Sequence, residues 1–125
     1  MINHILLVGL GGAIGSILRY LCHRWIDESY HPNFPFATFL VNITGCLLIG
    51  MIYAGAEKGN ILSPQIRLFL VTGFCGGFTT FSTFAFENVS FIRTNDDFYF
   101  LLYACGSVVI GILAVYLGNF LIKIL

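Results

Sequence analysis

Uncharged apolar stretches alternate with short polar segments along the chain. Four stretches contain no charged residue, and they cover residues 5–18, 37–56, 68–86 and 98–122. A helix needs roughly 20 mostly apolar residues to cross the hydrocarbon core of a bilayer. The last three stretches have about this length, and the first reaches it if Arg19 extends its charged end to the membrane surface. The pattern predicts four transmembrane helices, at about residues 4–22, 36–56, 66–92 and 98–123.

Turn-forming residues separate the predicted helices. They occur in three clusters, at residues 31–35, at 58–60 together with Pro64, and at 94–97. Proline, glycine, asparagine and aspartate favour turns in such clusters. Spanning strands of a β-barrel would be about half as long as the apolar stretches. The predicted fold class is therefore an all-α membrane protein, with one integral membrane domain over residues 1–125.

The composition supports a membrane location. Only 10% of the residues are charged and 58% are hydrophobic, whereas a soluble domain has roughly 25% charged residues. Most of the surface must then face lipid, which predicts a multi-pass protein of the cell membrane. Because the net charge is zero, nothing attracts nucleic acid electrostatically, and a nucleic-acid partner is not expected.

Basic residues are divided equally between the two sides of the predicted helix bundle. The side that carries the termini has Lys58, Arg67 and Lys123, and the opposite side has Arg19, Arg24 and Arg93. An excess of Lys and Arg on one side normally sets the orientation, and here there is none. One interpretation is an orientation signal of another kind. We favour insertion in both orientations, which permits an antiparallel homodimer with a twofold axis in the membrane plane.

The third stretch places glycines and hydroxyl residues in the middle of a predicted membrane helix. These residues are Gly73, Gly76, Gly77, Thr79, Thr80, Ser82 and Thr83. Glycine is a poor helix former, and an interruption would free N–H and C=O groups that need partners within protein or a watery cavity. Transporters bind ions at such interruptions. The pattern favours a broken third helix, and the alternative is a glycine-mediated helix crossing with the hydroxyls bonded to their own turn.

Two phenylalanines follow these glycines. Phe81 and Phe84 are three residues apart and share one face of a helix, while Ser82 and Thr83 lie between them. The edge of an aromatic ring is electropositive, so two edges directed into a narrow path can contact an anion without holding it tightly. Ordinary aromatic packing explains the same spacing.

Other polar side chains fall within the predicted spans. Asn42 lies one turn after Thr38 in the second span, and an amide in lipid must face the protein interior. Tyr103 and Ser107 are four residues apart in the fourth span and form a one-sided polar track. Each of these groups can donate to an anion or bond to a neighbouring helix.

Two charged residues lie at the edges of predicted spans. Arg19 is a cation that can attract anions toward a pore mouth. Glu87 comes at the end of the third uncharged stretch, where it can titrate, extend to the surface or pair with a basic residue.

Three groups of residues resemble the CrcB, or Fluc, family of fluoride channels. They are Gly11-Gly12 with Gly15 and Arg19-Tyr20, the pair Asn42 and Gly45, and the string from Gly73 to Phe84. The resemblance extends from the first predicted helix to the last, and the string is its most distinctive part. Relatives often carry alanine where this chain has Ser16, a departure of no consequence for the site.

The resemblance implies an antiparallel, dual-topology homodimer with two fluoride pathways and a structural Na⁺ ion at its centre. In this family main-chain carbonyls of the broken third helix hold the ion, and these correspond to Gly76 and Thr79. Together with the polar positions above, the predicted fluoride pathway comprises Phe81, Phe84, Asn42, Ser82, Thr83, Thr38, Tyr103, Ser107 and Arg19. The expected function is passive, fluoride-selective export across the plasma membrane, which lowers cytoplasmic fluoride and its toxicity.

Two other functions agree less well with the residues. A proton-coupled exporter of the small four-helix type needs a carboxylate within the first span, and residues 4–22 contain none. A membrane enzyme acting on phosphates needs clustered acidic residues to hold metal ions, and the pair Asp96-Asp97 lies in a predicted loop. The chain is therefore predicted not to be an enzyme.

Overall fold

The structure is a computed structural model that describes residues 1–30, 33–59 and 61–125. Its helices are α1 (Ile2–Ser29), α2 (Phe36–Glu57), α3 (residues 64–78), α4 (Phe81–Arg93) and α5 (Asp97–Ile124). The helix α3 consists of an α-helical turn, a π-helix and a last α-helical turn, at Pro64–Arg67, Leu68–Cys75 and Gly76–Phe78. Parts of two predicted turns, at His31, Pro32 and Asn60, lie outside the described residues.

Four helical segments are long and apolar enough to cross a membrane: α1, α2, α3 with α4, and α5. Large apolar side chains cover their outer surface, and Trp25, Phe98 and Tyr116 are each at least 70% exposed. An apolar surface of this extent on helices of this length is typical of contact with lipid. The chain is therefore a multi-pass membrane protein, and the predicted all-helical fold with four membrane segments is confirmed. The residues at which each helix enters and leaves the membrane stay a prediction.

Glycines bring α1 into direct backbone contact with α3. A Cβ atom on Gly11 would lie 2.5 Å from the carbonyl oxygen of Phe69, and one on Gly77 would lie 2.5 Å from that of Gly12. A Cβ on Gly15 would overlap the carbonyl oxygen of Phe74. In lipid, helices associate through close packing of this kind because no hydrophobic force drives them together. The glycines thus fix α1 against the first half of the broken helix.

A second helix pair forms in the same way between α2 and α5. A Cβ on Gly50 would overlap the carbonyl oxygen of Val115, and one on Gly118 would overlap that of Leu47. The two contacts lie within one turn of each other, so the two backbones touch where residues 47–51 meet residues 115–119. The helix α4 packs mainly against α5, so its side chains meet those of α2 and α5.

Side-chain caps fix where two of the helices begin. The Ser63 hydroxyl accepts a hydrogen bond from the N–H of Ile66 at 3.2 Å, with Pro64 at the first helical position. The Asp96 carboxylate accepts one from the N–H of Tyr99 at 3.3 Å. Capping of this kind satisfies N–H groups that have no partner in the first turn of a helix. The turn predicted at residues 94–97 is confirmed, with Asn95 at a φ of 56°.

Candidate functional site

The third membrane segment is interrupted at Thr79 and Thr80. Both residues are extended, with φ and ψ of −84° and 159° at Thr79 and −148° and 116° at Thr80. The predicted break is confirmed, but it follows the glycines instead of falling on them. Gly76 is helical, with φ −62° and ψ −37°. The glycines Gly73 and Gly77 serve the close packing against α1.

Asn42 supplies the hydrogen bonds that the main chain loses at the break. The N–H of Thr80 donates to Asn42 Oδ1 at 2.8 Å, and Asn42 Nδ2 donates to the carbonyl oxygen of Thr80 at 3.0 Å. Buried main-chain groups without partners would be costly. One N–H of the Asn42 amide is thus bonded to Thr80. The hydrogen bond that Asn42 is predicted to donate to an anion must come from the second N–H.

The hydroxyl of Thr80 caps the N-terminus of α4. It accepts a hydrogen bond from the N–H of Thr83 at 3.3 Å and donates one to the Thr83 hydroxyl at 3.1 Å. The Ser82 hydroxyl lies 3.4 Å from the same oxygen. The N-terminus of a helix carries a partial positive charge, and α4 has 13 residues. The break thus presents the anion-attracting end of α4 beside Ser82 and Thr83.

The other end of the break presents carbonyl oxygens. The carbonyl of Gly76 loses its helical donor because the N–H of Thr80 bonds to Asn42. The carbonyl of Thr79 loses its donor because the N–H of Thr83 bonds to the Thr80 hydroxyl. Carbonyl oxygens at an unwound helix are ligands that hard cations such as Na⁺ use. The two carbonyls expected to hold sodium are thus left without their helical donors, so these residues fit such an ion.

Arg19 reaches the break from α1. Its Nε donates to the carbonyl oxygen of Gly77 at 3.0 Å, across 58 positions in the sequence. The sequence places this side chain at a pore mouth as a free cation, whereas one of its donors holds the end of α3. Because the guanidinium keeps its charge, this hydrogen bond is compatible with the predicted attraction of anions.

An open groove of about 270 Å³ runs between α2, the break, α4 and α5. The predicted pathway residues that line it are Asn42, Phe81, Phe84 and Ser107, and Thr79 joins them. Phe81 is 78% exposed within a single copy of the chain. The rings of Phe81 and Phe84 are 5.8 Å apart and inclined by 45°. The two rings therefore lie on one side of a groove that is open to the surroundings of the chain.

Tyr103 continues the groove toward one end of the bundle. Its ring stands edge-on to that of Phe84, with centroids 5.0 Å apart, and its hydroxyl donates to Glu87 Oε1 at 3.0 Å. Thr38 is fully buried beside the Glu87 carboxylate and the Tyr103 hydroxyl, which are its polar neighbours. The hydroxyl of Ser107 is buried and has no hydrogen-bond partner among the described residues. Of the Thr38 and Ser107 hydroxyls, that of Ser107, which lines the groove, is the one free to donate to a ligand.

Glu87 connects this cluster to a second cavity. That cavity, of about 360 Å³, is lined by Glu87 and Ser90 of α4, by Asp27 of α1 and by the segment before α2. Glu87 lies in the middle of α4 and not at the end of the third membrane segment. The sequence left the role of Glu87 open, because its partner Tyr103 comes from another helix. The spacing from Phe84 to Glu87, i to i+3, is the signal that places it on the same face.

Comparison with known proteins gives one consistent result. A family model described as "CrcB-like protein, Camphor Resistance (CrcB)" matches residues 6–119. A protein of Chlorobium luteolum named "Fluoride-specific ion channel FluC" is 52% identical over 120 residues, 94% of this chain and 92% of that protein. Proteins of the same name from Flavobacterium psychrophilum and Rhizobium meliloti are 44% and 42% identical, and each alignment covers at least 95% of both chains.

Proposed function

The chain belongs to the family of CrcB-like proteins, and on that premise we propose that it is a fluoride-selective channel through which fluoride leaves the cell passively. The relatives that match over nearly their whole length are named for that activity. One observation of this chain carries the proposal: the break in the third segment places the start of α4 beside the groove, which is also lined by Ser107, whose buried hydroxyl has no partner among the described residues. Such export lowers cytoplasmic fluoride and its toxicity.

The route offers hydrogen-bond donors in place of water. Fluoride is small and strongly hydrated, so a pore must replace its water with donors and reject larger anions by its width. The hydroxyl of Ser107 and the second N–H of Asn42 are such donors. The edges of Phe81 and Phe84 add electropositive contact without a full charge that would trap the ion. From Phe84 the route passes Tyr103 to the cavity at Glu87.

A structural Na⁺ ion belongs to the same proposal. The carbonyls of Gly76 and Thr79 would hold it, since both have lost their helical donors. A bound cation raises the local potential for anions beside it. The chain's own part is to keep these oxygens at the end of α3, through Asn42 on one side of the break and Arg19 on the other.

A second copy of the chain completes the proposed path. Phe81 is 78% exposed and the groove beside it is open, which leaves one wall of the path to a partner. The equal division of basic residues between the two sides supports an antiparallel arrangement. We therefore propose a homodimer of opposite orientations, in which each groove is closed by the other copy.

Glu87 is the reason to keep a proton-coupled exporter as a second candidate. Its carboxylate accepts a hydrogen bond from Tyr103 on the proposed route, and transport proteins use carboxylates inside the membrane as proton carriers. The two candidates differ in what drives fluoride. A channel needs only the electrochemical gradient of fluoride, whereas an exporter of this kind uses a proton gradient.

Fluoride efflux from liposomes that contain only this protein tests the proposal. The purified chain is reconstituted in vesicles loaded with potassium fluoride or potassium chloride, and release is started with a potassium ionophore. We expect rapid release of fluoride, no release of chloride above that of protein-free vesicles, and no dependence on an imposed proton gradient. Equal release of both anions, or none, would contradict the channel, and release that requires a proton gradient would favour the exporter.

A further inference from the structure

Arg19 belongs to a line of residues along one face of α1. Gly11, Gly15 and Arg19 are four positions apart, so they lie above one another on the helix. The two glycines hold α1 against the main chain of α3 at Phe69 and Phe74. Because that contact leaves no space for the helices to slide, it places Arg19 opposite the last turn of α3, where its Nε meets the carbonyl of Gly77.

The bonded carbonyl lies within the turn that carries the proposed sodium ligands. Gly77 directly follows Gly76 and stands two residues before Thr79. At the end of a helix, carbonyl oxygens have no main-chain donors, and the local orientation of each peptide depends on what else binds it. Arg19 is the side chain that bonds this turn from α1, at 3.0 Å and in a part-buried position.

We propose that Arg19 is a positioning residue for the cation site. Its Nε–H fixes the Gly77 peptide, and the fixed peptide keeps the Gly76 and Thr79 carbonyls directed toward one ion. The inference rests on the sodium site proposed above and assigns to Arg19 a role in addition to the attraction of anions.

The hydrogen bond and the charge of Arg19 should affect sodium binding in opposite directions. A guanidinium near the ion repels it through Coulomb's law, so removal of the charge alone would tighten the binding of sodium. Removal of the Nε–H would loosen the turn and weaken the binding. Two substitutions separate the effects. Glutamine has an amide nitrogen as far along its side chain as Arg Nε and carries no charge, whereas methionine is similar in length but has neither donor nor charge.

The experiment measures the thermal unfolding midpoint of the purified protein in detergent while sodium replaces N-methylglucamine at constant ionic strength. The quantity compared is the sodium concentration that gives half of the full stabilisation. For Arg19→Met we expect an increase of up to about tenfold, because the loss of one hydrogen bond from a charged donor is partly offset by the loss of the repelling charge. For Arg19→Gln we expect the wild-type value or a lower one, and Arg24→Met, which removes an exposed charge bonded to Glu28 on the same helix, should change nothing.

The outcomes separate the inference from the proposed function. If Arg19→Met and Arg19→Gln shift the sodium requirement in the same direction and by the same factor, Arg19 does not position the turn. Arg19→Leu replaces Arg19→Met if that variant does not assemble. A wild-type midpoint that does not respond to sodium would overturn both the inference and the sodium site. Fluoride efflux from the same preparation reports separately on conduction.

Discussion

Replacement of Phe81 by isoleucine is expected to abolish fluoride efflux while the proposed homodimer stays assembled. The ring lines the groove with Asn42 and Ser107 and is 78% exposed in one copy. Isoleucine has a similar apolar bulk but no electropositive edge, so the ion would lose a contact in the part of the path where it has shed water. We expect the rate to fall by at least about a hundredfold, which corresponds to roughly 2.7 kcal/mol in the barrier.

Phe86 provides the matched control for this substitution. It lies on the same helix, is 67% exposed and does not line the groove. Phe86→Ile should therefore conduct fluoride at nearly the wild-type rate. Efflux and the size of the assembly, from size-exclusion chromatography, are measured on each variant. Full conduction by Phe81→Ile would show that the ring edge is not needed, and equal loss in both variants would point to a general disturbance of α4.

The largest expected effect on stability comes from Gly15→Ala. The added methyl group would overlap the carbonyl oxygen of Phe74 and approach the N–H of Phe78 within 2.9 Å. Both obstacles are main-chain atoms, which cannot rotate aside as a side chain can. The helices α1 and α3 would have to separate along the line that ends at Arg19. Overpacking of this severity costs about 3 kcal/mol or more, a large part of the stability of a small protein.

Gly9→Ala is the control for this prediction. It lies on the same helix, and a Cβ there would meet nothing within 4 Å. Because alanine favours a helix over glycine by up to about 1 kcal/mol, Gly9→Ala should be as stable as the wild type or slightly more so. The fraction of dimer and the unfolding midpoint in detergent are compared. Equal losses in both variants would mean that the glycine contact does not hold α1 in place.

The membrane helices could be predicted from the sequence because lipid imposes a simple rule. A span must be apolar and uncharged over about 20 residues, and the positions of the charged residues reveal this directly. The first uncharged stretch, residues 5–18, is shorter than this and reaches the required length only if Arg19 is counted at its end. The helix α1 is longer than the stretch and runs from Ile2 to Ser29. The π-helix at Leu68–Cys75 has no counterpart in the pattern, since an extra residue per turn leaves no mark on composition.

The position of the break could not be predicted in the same way. Glycine permits an interruption without requiring one, and here the glycines stay helical because α1 packs on them. The break instead lies where Asn42, 38 positions earlier, can bond both the N–H and the carbonyl of Thr80. Such a contact joins residues distant in sequence, and local patterns carry no information about it.

The candidate site could be predicted as a set of residues but not as an arrangement. The family resemblance named Phe81, Phe84, Asn42 and Ser107, and these lie together in the groove. The bonds that organise the site, from Arg19 to Gly77 and from Tyr103 to Glu87, depend on how the helices pack. The functions of these residues stay predictions until transport is measured.

Current through a planar bilayer that contains this protein tests the central claim most directly. With a tenfold difference in fluoride across the bilayer and equal chloride and pH on both sides, a passive fluoride-selective channel should reverse at the fluoride equilibrium potential, about 59 mV for a single charge. A pH gradient added afterwards should leave that value unchanged. A reversal potential near zero, or one that moves with the pH gradient, would contradict a passive fluoride channel.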